Sequence, residues 1–187
     1  MNTNVRRLTL CALSVAINVV FGIVTSGAKL PLYLDTIGTV MMAVYYGPWV
    51  GAGVGAITNI ITSLIMGNPK AMPFLLVSVA IGLLVGFVAR KWSFNFTTAL
   101  VTGLVLSVVA PLIGTPIGIW VYGGLTGTVS DVFLLLLKNT GMSIFASSFI
   151  TKIFNNLLDK TATCILVYFV IKALPMRFKP VRKAAEL

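Results

Sequence analysis

The residues best suited to bind a small molecule lie in one polar stretch near the end of the chain. They share one predicted helix face or adjoin it: Lys152, Asn155, Asn156, Asp159 and Thr163. Separations of three and four residues place side chains on the same side of an α-helix. In a membrane such polar groups are expected to face the bundle interior, because exposure to lipid is costly. We predict either a polar ligand site or an ion pair of Asp159 with Lys152 or Lys160 that packs the bundle.

Asp35 is a second candidate, because it stands at the start of an apolar stretch. A carboxylate near the centre of a bilayer costs about 2.5–3.5 kcal/mol on insertion scales. It could order the outer loop or contact a ligand. It could also cap the helix that follows, with Thr36 and Thr39 bonding locally. One residue can do both.

Catalytic and metal sites are not expected. The chain has no histidine and only four acidic residues, so the usual nucleophilic triads and transition-metal sites are missing. It has no G-x-x-x-x-G-K-[ST] loop and therefore cannot couple ATP hydrolysis itself. Cys11 and Cys164 lie in apolar runs, as small core residues do. We predict a protein that is not an enzyme and that carries no metal or other cofactor.

The elements that must position these residues are membrane helices. Of 187 residues, 58% are hydrophobic and 10% are charged, whereas soluble domains carry about 25% charged residues. The net charge of +10 comes from lysines and arginines that flank the apolar runs. This placement is typical of the positive-inside rule and not of nucleic-acid binding. The composition predicts one integral membrane domain over residues 1–187, in contact with lipid and with no nucleic-acid partner.

The pattern predicts an all-α bundle of six transmembrane helices. The predicted segments are residues 5–25, 35–46, 49–66, 72–89, 96–122 and 142–174, with a short apolar piece at 132–137. Pro111 and Pro116 are expected to interrupt the fifth segment. Both chain ends and the connection at residues 90–91 are basic, which predicts an N-in, C-in topology with residues 175–187 as a cytoplasmic tail.

Small residues four apart recur along the apolar runs. The pairs are Ala12/Ala16, Gly51/Gly55, Gly82/Gly86 and Gly114/Gly118. Such pairs let two helix backbones approach closely. Most of the pairs are expected to pack helices within the bundle, and spacing alone does not say which one meets a partner protein.

Several short segments together resemble the substrate-binding subunits, called S components, of energy-coupling factor (ECF) vitamin transporters. The segments are ALSVA (12–16), LDTIGT (34–39), YGPWVG (46–51), TN (58–59) and NNLLDK (155–160). The resemblance extends over nearly the whole chain in length, helix count and loop placement.

This resemblance implies a plasma-membrane, multi-pass bundle that captures a vitamin from outside. In that family the face corresponding to Ala12 and Ala16 docks on a transmembrane coupling subunit, and two cytoplasmic ATPases drive the assembly. The outer loops and the start of the last long helix become the binding site. The residues implied to bind substrate are Asp35, Asn68, Lys70, Lys152, Asn155, Asn156 and Asp159.

The vitamin is less well defined by the sequence. Sparse charge and the glycine-rich residues 123–127 favour cobalamin, with pantothenate, a pyrimidine or pyridoxine-type precursor and riboflavin as open alternatives. Lys29, Lys70 and Lys138 in the outer loops could meet a carboxylate or a phosphate. Two alternatives belong to other functional classes: a self-sufficient secondary transporter, and a membrane scaffold without a small ligand. A secondary transporter is expected to contain proton-relay acids and inverted repeats, and neither is evident in the sequence.

Overall fold

The computed structural model describes residues 3–28, 30, 32–126 and 130–174. Within these ranges the chain is helical and contains no strand. Its elements are α1 (Thr3–Gly27), α2 (Ile37–Tyr46), α3 (Pro48–Ile65), a 3₁₀ helix (Pro69–Phe74), α4 (Leu75–Lys91), α5 (Phe96–Tyr122), α6 (Ser130–Asn139) and α7 (Ile144–Ala173). Lys29, Gly127 and the predicted basic tail at 175–187 lie outside the described residues.

Five of the described helical stretches are long and apolar enough to cross a membrane. They are α1, α3, the 3₁₀ helix continued by α4, α5, and α7. The all-helical membrane fold is thereby confirmed. The remaining apolar helix, α2, has only 10 residues and is about 15 Å long, so the helix alone is too short to cross.

Two local predictions were wrong. α2 begins at Ile37 with Thr36 at the N-cap position, so Asp35 does not cap it. α5 continues through Pro111 and Pro116 without a break, because surrounding helices can stabilise a helix that lacks a few backbone hydrogen bonds. The short apolar piece predicted at 132–137 is confirmed as part of α6, which packs against α7.

α2 runs antiparallel to α1 along most of its length. Near one end of α1, the Thr25 hydroxyl donates to the carbonyl of Tyr33 at 2.7 Å. In the middle, the Gly38 N–H donates to Asn18 Oδ1 at 2.7 Å. At the other end, the Arg7 guanidinium lies 5.6 Å from the ring centre of Tyr46. The segment from Tyr33 to Tyr46 therefore follows α1 from one end of the bundle to the other.

Glycines allow the helix axes of the bundle to approach closely. A Cβ at Gly38 would lie 2.3 Å from the Ser14 carbonyl oxygen, and one at Gly86 would lie 2.3 Å from Pro48 Cα. Gly55 and Gly82 are similarly tight against α4 and α3. The prediction that small-residue pairs pack helices within the bundle is confirmed for Gly51/Gly55 and Gly82/Gly86.

α5 and α7 form the most extensive helix pair. A Cβ at Gly103 would lie 2.6 Å from Thr161 Cα, so the two backbones are almost in contact there. Farther along, Lys152 of α7 reaches the carbonyl of Gly114 in α5. This antiparallel pairing turns the polar face of α7 towards α2, α4 and the cavity between them.

Candidate ligand-binding site

A cavity of about 300 Å³ opens among α3, α4, α5, α7 and the connection between α1 and α2. Its volume is at the lower end of the range for small-molecule sites, about 300–1,000 Å³. Apolar and aromatic side chains form much of its wall, and polar groups converge from several elements. The polar groups and tyrosines that line it are Tyr33, Asp35, Thr36, Asn59, Ser78, Tyr122, Thr126, Lys152, Asn156 and Lys160.

Lys152 and Asn156 supply one polar wall from α7. The Lys152 ammonium donates to the Gly114 carbonyl at 2.9 Å and lies 5.8 Å from the ring centre of Phe74. Asn156 Nδ2 donates to the Lys152 carbonyl at 2.8 Å. Because an ammonium has three donors and only one is used here within the described chain, Lys152 is able to bind an acceptor in the cavity.

A buried ionic cluster closes the floor of the cavity. Lys160 Nζ lies 2.6 Å from Asp159 Oδ2 and 3.5 Å from Asp35 Oδ1, and it donates to the Thr36 hydroxyl at 3.1 Å. The side chains of Lys160 and Asp159 are 4% and 0% exposed. Of the two ion pairs proposed from the sequence, the structure contains Asp159–Lys160, between neighbouring residues of α7.

Asp159 also fixes the connection that precedes α2. Its Oδ1 accepts hydrogen bonds from the backbone N–H groups of Tyr33 and Leu34, at 3.0 and 2.7 Å. Leu34 has a φ of +47°, a conformation that is uncommon for a residue with a side chain. The carboxylate therefore holds a strained turn of residues 32–36 against α7, where it forms one side of the cavity.

Asp35 lies in the same connection, outside the five long membrane helices. Its side chain is 40% exposed. Its Oδ1 lies 3.5 Å from the Lys160 ammonium nitrogen, so a ligand that contacts either group affects both.

The part of the cavity wall that α7 does not supply was not predicted from the sequence. Asn59 of α3 has a buried Oδ1 with no hydrogen-bond partner in the described chain, which makes it a candidate ligand acceptor. Phe74 and Tyr122 stack with ring centres 6.3 Å apart and provide a flat apolar surface. An amide inside an apolar helix could have singled out Asn59, whereas no local pattern marks Tyr33 or Tyr122.

The predicted site residues divide into three groups. Asp35, Lys152 and Asn156 line the cavity, and Asp159 lies beneath it. Asn155 does not line the cavity and donates to the Ser130 hydroxyl, which ties α6 to α7. Asn68 and Lys70 are exposed where the 3₁₀ helix begins and are not among the lining residues.

A buried polar junction joins α1, α2 and α3 below the cavity. The carboxamide of Asn18 donates to the hydroxyls of Thr39 and Thr58 at 3.0 and 3.1 Å and accepts from the Gly38 N–H. Asn18, Thr39 and Thr58 are at most 4% exposed. This satisfied network fixes the α2 register, and with it the position of Asp35 and Thr36.

Ala12 and Ala16 lie in an apolar groove of about 550 Å³ between α1 and α3, on the other side of α1. Its lining residues are Leu8, Cys11, Ala12, Val15, Ala16, Val19, Val20, Val54, Ile57 and Ile61. The two small side chains keep this groove open on the outer surface of the bundle. It is separate from the cavity, since no residue lines both.

One family model, described as the S component of the ECF-type riboflavin transporter, matches residues 2–174. No curated protein and no solved structure matches the chain. The family match covers nearly the whole chain and agrees with the five apolar spans of a multi-pass plasma-membrane protein. It identifies a transporter subunit and not an enzyme. The chain therefore belongs to the family of S components of ECF-type riboflavin transporters.

Proposed function

We propose that this S component captures riboflavin in the cavity between α3, α4, α5 and α7. The observation that carries the proposal is the combination of a cavity of about 300 Å³ with a flat aromatic wall and polar groups on two sides. A flavin has a flat tricyclic ring and a polyhydroxylated chain, and it needs both kinds of surface. Membership of the riboflavin-type family supports the same ligand.

The cavity volume argues against cobalamin, which the sequence had favoured. A corrin ring with its nucleotide loop is much larger than a flavin, and the walls of this cavity are helices in close contact. The glycine-rich residues 123–126, which suggested room for a bulky ligand, are only partly at the cavity, where Thr126 is the one lining residue among them.

We propose that polar groups at the two ends of the cavity bind different parts of the ligand. Lys152 and Asn59 are placed to bind the carbonyl and imide groups of the ring, or the hydroxyls of the chain. Asp35 and the Asp159–Lys160 pair form the opposite, dipolar end. A neutral ligand suits this arrangement, because Lys152 and Lys160 balance Asp35 and Asp159 in formal charge.

Six membrane crossings with both termini inside remain our proposal for the topology. Residues 33–46 lie beside the part of α1 that extends from Arg7 to Thr25, a length of about 27 Å. That length approaches the hydrocarbon thickness of about 30 Å, so the connection plus α2 would serve as a crossing. The basic residues at the start of α1 and the end of α4 then share the inner surface.

We propose that transport requires a transmembrane coupling subunit and two cytoplasmic ATPases. The groove that contains Ala12 and Ala16 is suited to a partner helix, since small residues permit close approach. It faces away from the cavity, so the subunit could bind ligand and partner at once. A scaffold without a ligand is disfavoured by the polar cavity, and a secondary transporter is disfavoured by the family.

Ligand binding by the purified chain tests the proposal. Isothermal titration in detergent with riboflavin, cobalamin, pantothenate and pyridoxine should give saturable binding of riboflavin alone. Asn156→Ala and Asn59→Ala should each weaken that binding by about 1–3 kcal/mol. Lys172→Met, an exposed change on the same helix, is the matched control and should bind normally. Binding of another vitamin, or of none by folded protein, would contradict the assignment.

Vesicle uptake separates the coupled transporter from the secondary transporter. The chain alone should bind riboflavin without accumulating it, whereas vesicles that also contain the coupling subunit and the ATPases should accumulate it when ATP is supplied. Accumulation by the chain alone under an ion gradient would favour the secondary transporter.

A further inference from the structure

The turn between α2 and α3 carries a pair of arginines from two other helices. Arg7 of α1 stacks on Tyr46, with 5.6 Å between its guanidinium carbon and the ring centre. Arg90 of α4 packs on the next residue, Gly47, where an added Cβ would lie 2.6 Å from Arg90 Nη2. Arg7 and Arg90 therefore contact two residues that are adjacent in the chain.

Gly47 makes this arrangement possible in two ways. Its φ of +93° is one that residues with a side chain rarely adopt. Its missing side chain leaves the space that the Arg90 guanidinium occupies. The turn also begins α3, whose N-terminus has no side-chain cap, so backbone N–H groups add to the positive potential there.

No acidic side chain balances this charge among the described residues. The described acids are Asp35, Asp131 and Asp159: the first and third belong to the ionic cluster at the cavity, and Asp131 lies in α6. Arg7 and Arg90 are both exposed and take part in no ion pair within the described chain. Guanidinium groups bind phosphate through paired N–H donors, so each of the two arginines is able to bind a phosphate group at this end of α2.

The surroundings of the turn place it at the level of lipid headgroups. Trp49 is 70% exposed and directly follows the turn, and Trp92 is 54% exposed just beyond Arg90. Exposed tryptophans next to basic residues are typical of the membrane–water interface. The pair is also distinct from the groove of Ala12 and Ala16, because Arg7 shares the α2-facing side of α1 with Asn18.

We propose that Arg7 and Arg90 bind the headgroup phosphates of anionic phospholipid at the α2–α3 turn. Bound lipid would neutralise two exposed arginines at the point where α1, α2, α3 and α4 meet. It would thereby stabilise the C-terminal end of α2, which is the end farther from the ligand cavity. The site depends on neither the identity of the vitamin nor the coupling subunit.

The two nearby tryptophans provide the assay. In a Trp120→Phe background, Trp49 and Trp92 report on neighbouring lipid through quenching by brominated acyl chains. The protein is reconstituted in phosphatidylcholine with a rising fraction of brominated phosphatidylglycerol, and in a second series with brominated phosphatidylcholine. We expect a preference of about fivefold for phosphatidylglycerol, comparable to the attraction of one basic residue to an anionic surface. R7Q/R90Q should reduce this preference, and Arg6 and Lys91, which keep their charge beside the substituted positions, account for any part that remains.

The matched control is K138Q/K172Q, which removes the same charge from two exposed positions away from the turn. It should keep the preference. The proposal is overturned if the parent protein shows no preference, if R7Q/R90Q retains it, or if the control loses as much. If R7Q/R90Q does not fold, R7K/R90K takes its place, since lysine keeps the charge but not the paired donors. R7K/R90K must then show a reduced preference for phosphatidylglycerol, and an unchanged preference also overturns the proposal. Loss of assembly with the coupling subunit, without any lipid preference, would assign the pair to an acidic protein partner instead.

Discussion

Removal of Asp159 or Lys160 should reveal whether the buried ion pair holds the site together. Asp159→Asn keeps an oxygen for the N–H groups of Tyr33 and Leu34 but leaves the Lys160 ammonium, 4% exposed, without its nearest counter-charge. Breaking a buried pair by removing one partner costs about 3–5 kcal/mol. Because Asp35 remains 3.5 Å from Lys160, we expect the lower value, about 3 kcal/mol.

The double variant gives the sharper result. Asp159→Asn together with Lys160→Met removes both buried charges, and only Asp35, whose side chain is 40% exposed, loses its ion-pair partner. We therefore expect the double variant to be more stable than Asp159→Asn alone, although less stable than the parent. Lys160→Met alone should cost at least as much as Asp159→Asn, because it leaves both Asp159 and Asp35 without their shared ammonium group, although two backbone N–H groups still bind the Asp159 carboxylate.

Thermal unfolding in detergent, followed by tryptophan fluorescence, measures these differences. For a chain of this size 1 kcal/mol corresponds to about 2–4 °C in Tm, so Asp159→Asn should lower Tm by roughly 6–12 °C. Lys172→Met, which removes an exposed cation from the same helix, should leave Tm unchanged. A double variant less stable than Asp159→Asn, with the two single effects adding, would refute the reasoning that the charges support each other.

Three further changes test other parts of the structure. Gly38→Ala should lower Tm, because its Cβ would lie 2.3 Å from a backbone oxygen of α1. Gly53→Ala, whose Cβ would meet nothing within 4 Å, should leave Tm unchanged. Equal effects of the two substitutions would contradict the close packing at Gly38. Asn18→Ala should cost about 1–3 kcal/mol in thermal unfolding, because it leaves buried polar groups unpaired; a neutral result would contradict the junction. Ala12→Trp should abolish ATP-driven uptake but retain riboflavin affinity. Leu13→Trp, at an exposed position, is the control and should support uptake. Normal uptake by the Ala12→Trp variant would show that the groove is not the docking face.

Sequence patterns identified those parts of the site that a single helix determines. Lys152, Asn156 and Asp159 fall on one side of α7 because the helical repeat fixes their relative directions. The expectation that this face would avoid lipid was confirmed by the burial of Asn156 and Asp159. Asn155, one position away, turned towards α6 instead, since a change of one residue rotates a side chain by about 100°.

The other side of the cavity depends on residues that are far apart in the chain. Tyr33 and Asn59 reach the cavity only because α2 packs against α1 and α3 through Gly38 and the Asn18 junction. Asp159 similarly bonds with backbone groups 125 and 126 residues away. No local spacing encodes such contacts, because they depend on how closely the helices approach one another.

The sequence alone determined that this is a helical membrane protein, that one face of its last long helix is polar, and that basic residues gather beside its apolar runs. These properties follow from the cost of placing charge in lipid and from the helical repeat, which act on neighbouring residues. Only the tertiary structure decided that Asp159 pairs with Lys160 and not with Lys152, that Tyr33 and Asn59 line one cavity, and that Arg7 and Arg90 contact the adjacent residues Tyr46 and Gly47. Those outcomes depend on close packing between helices, where a missing Cβ decides which groups come into contact.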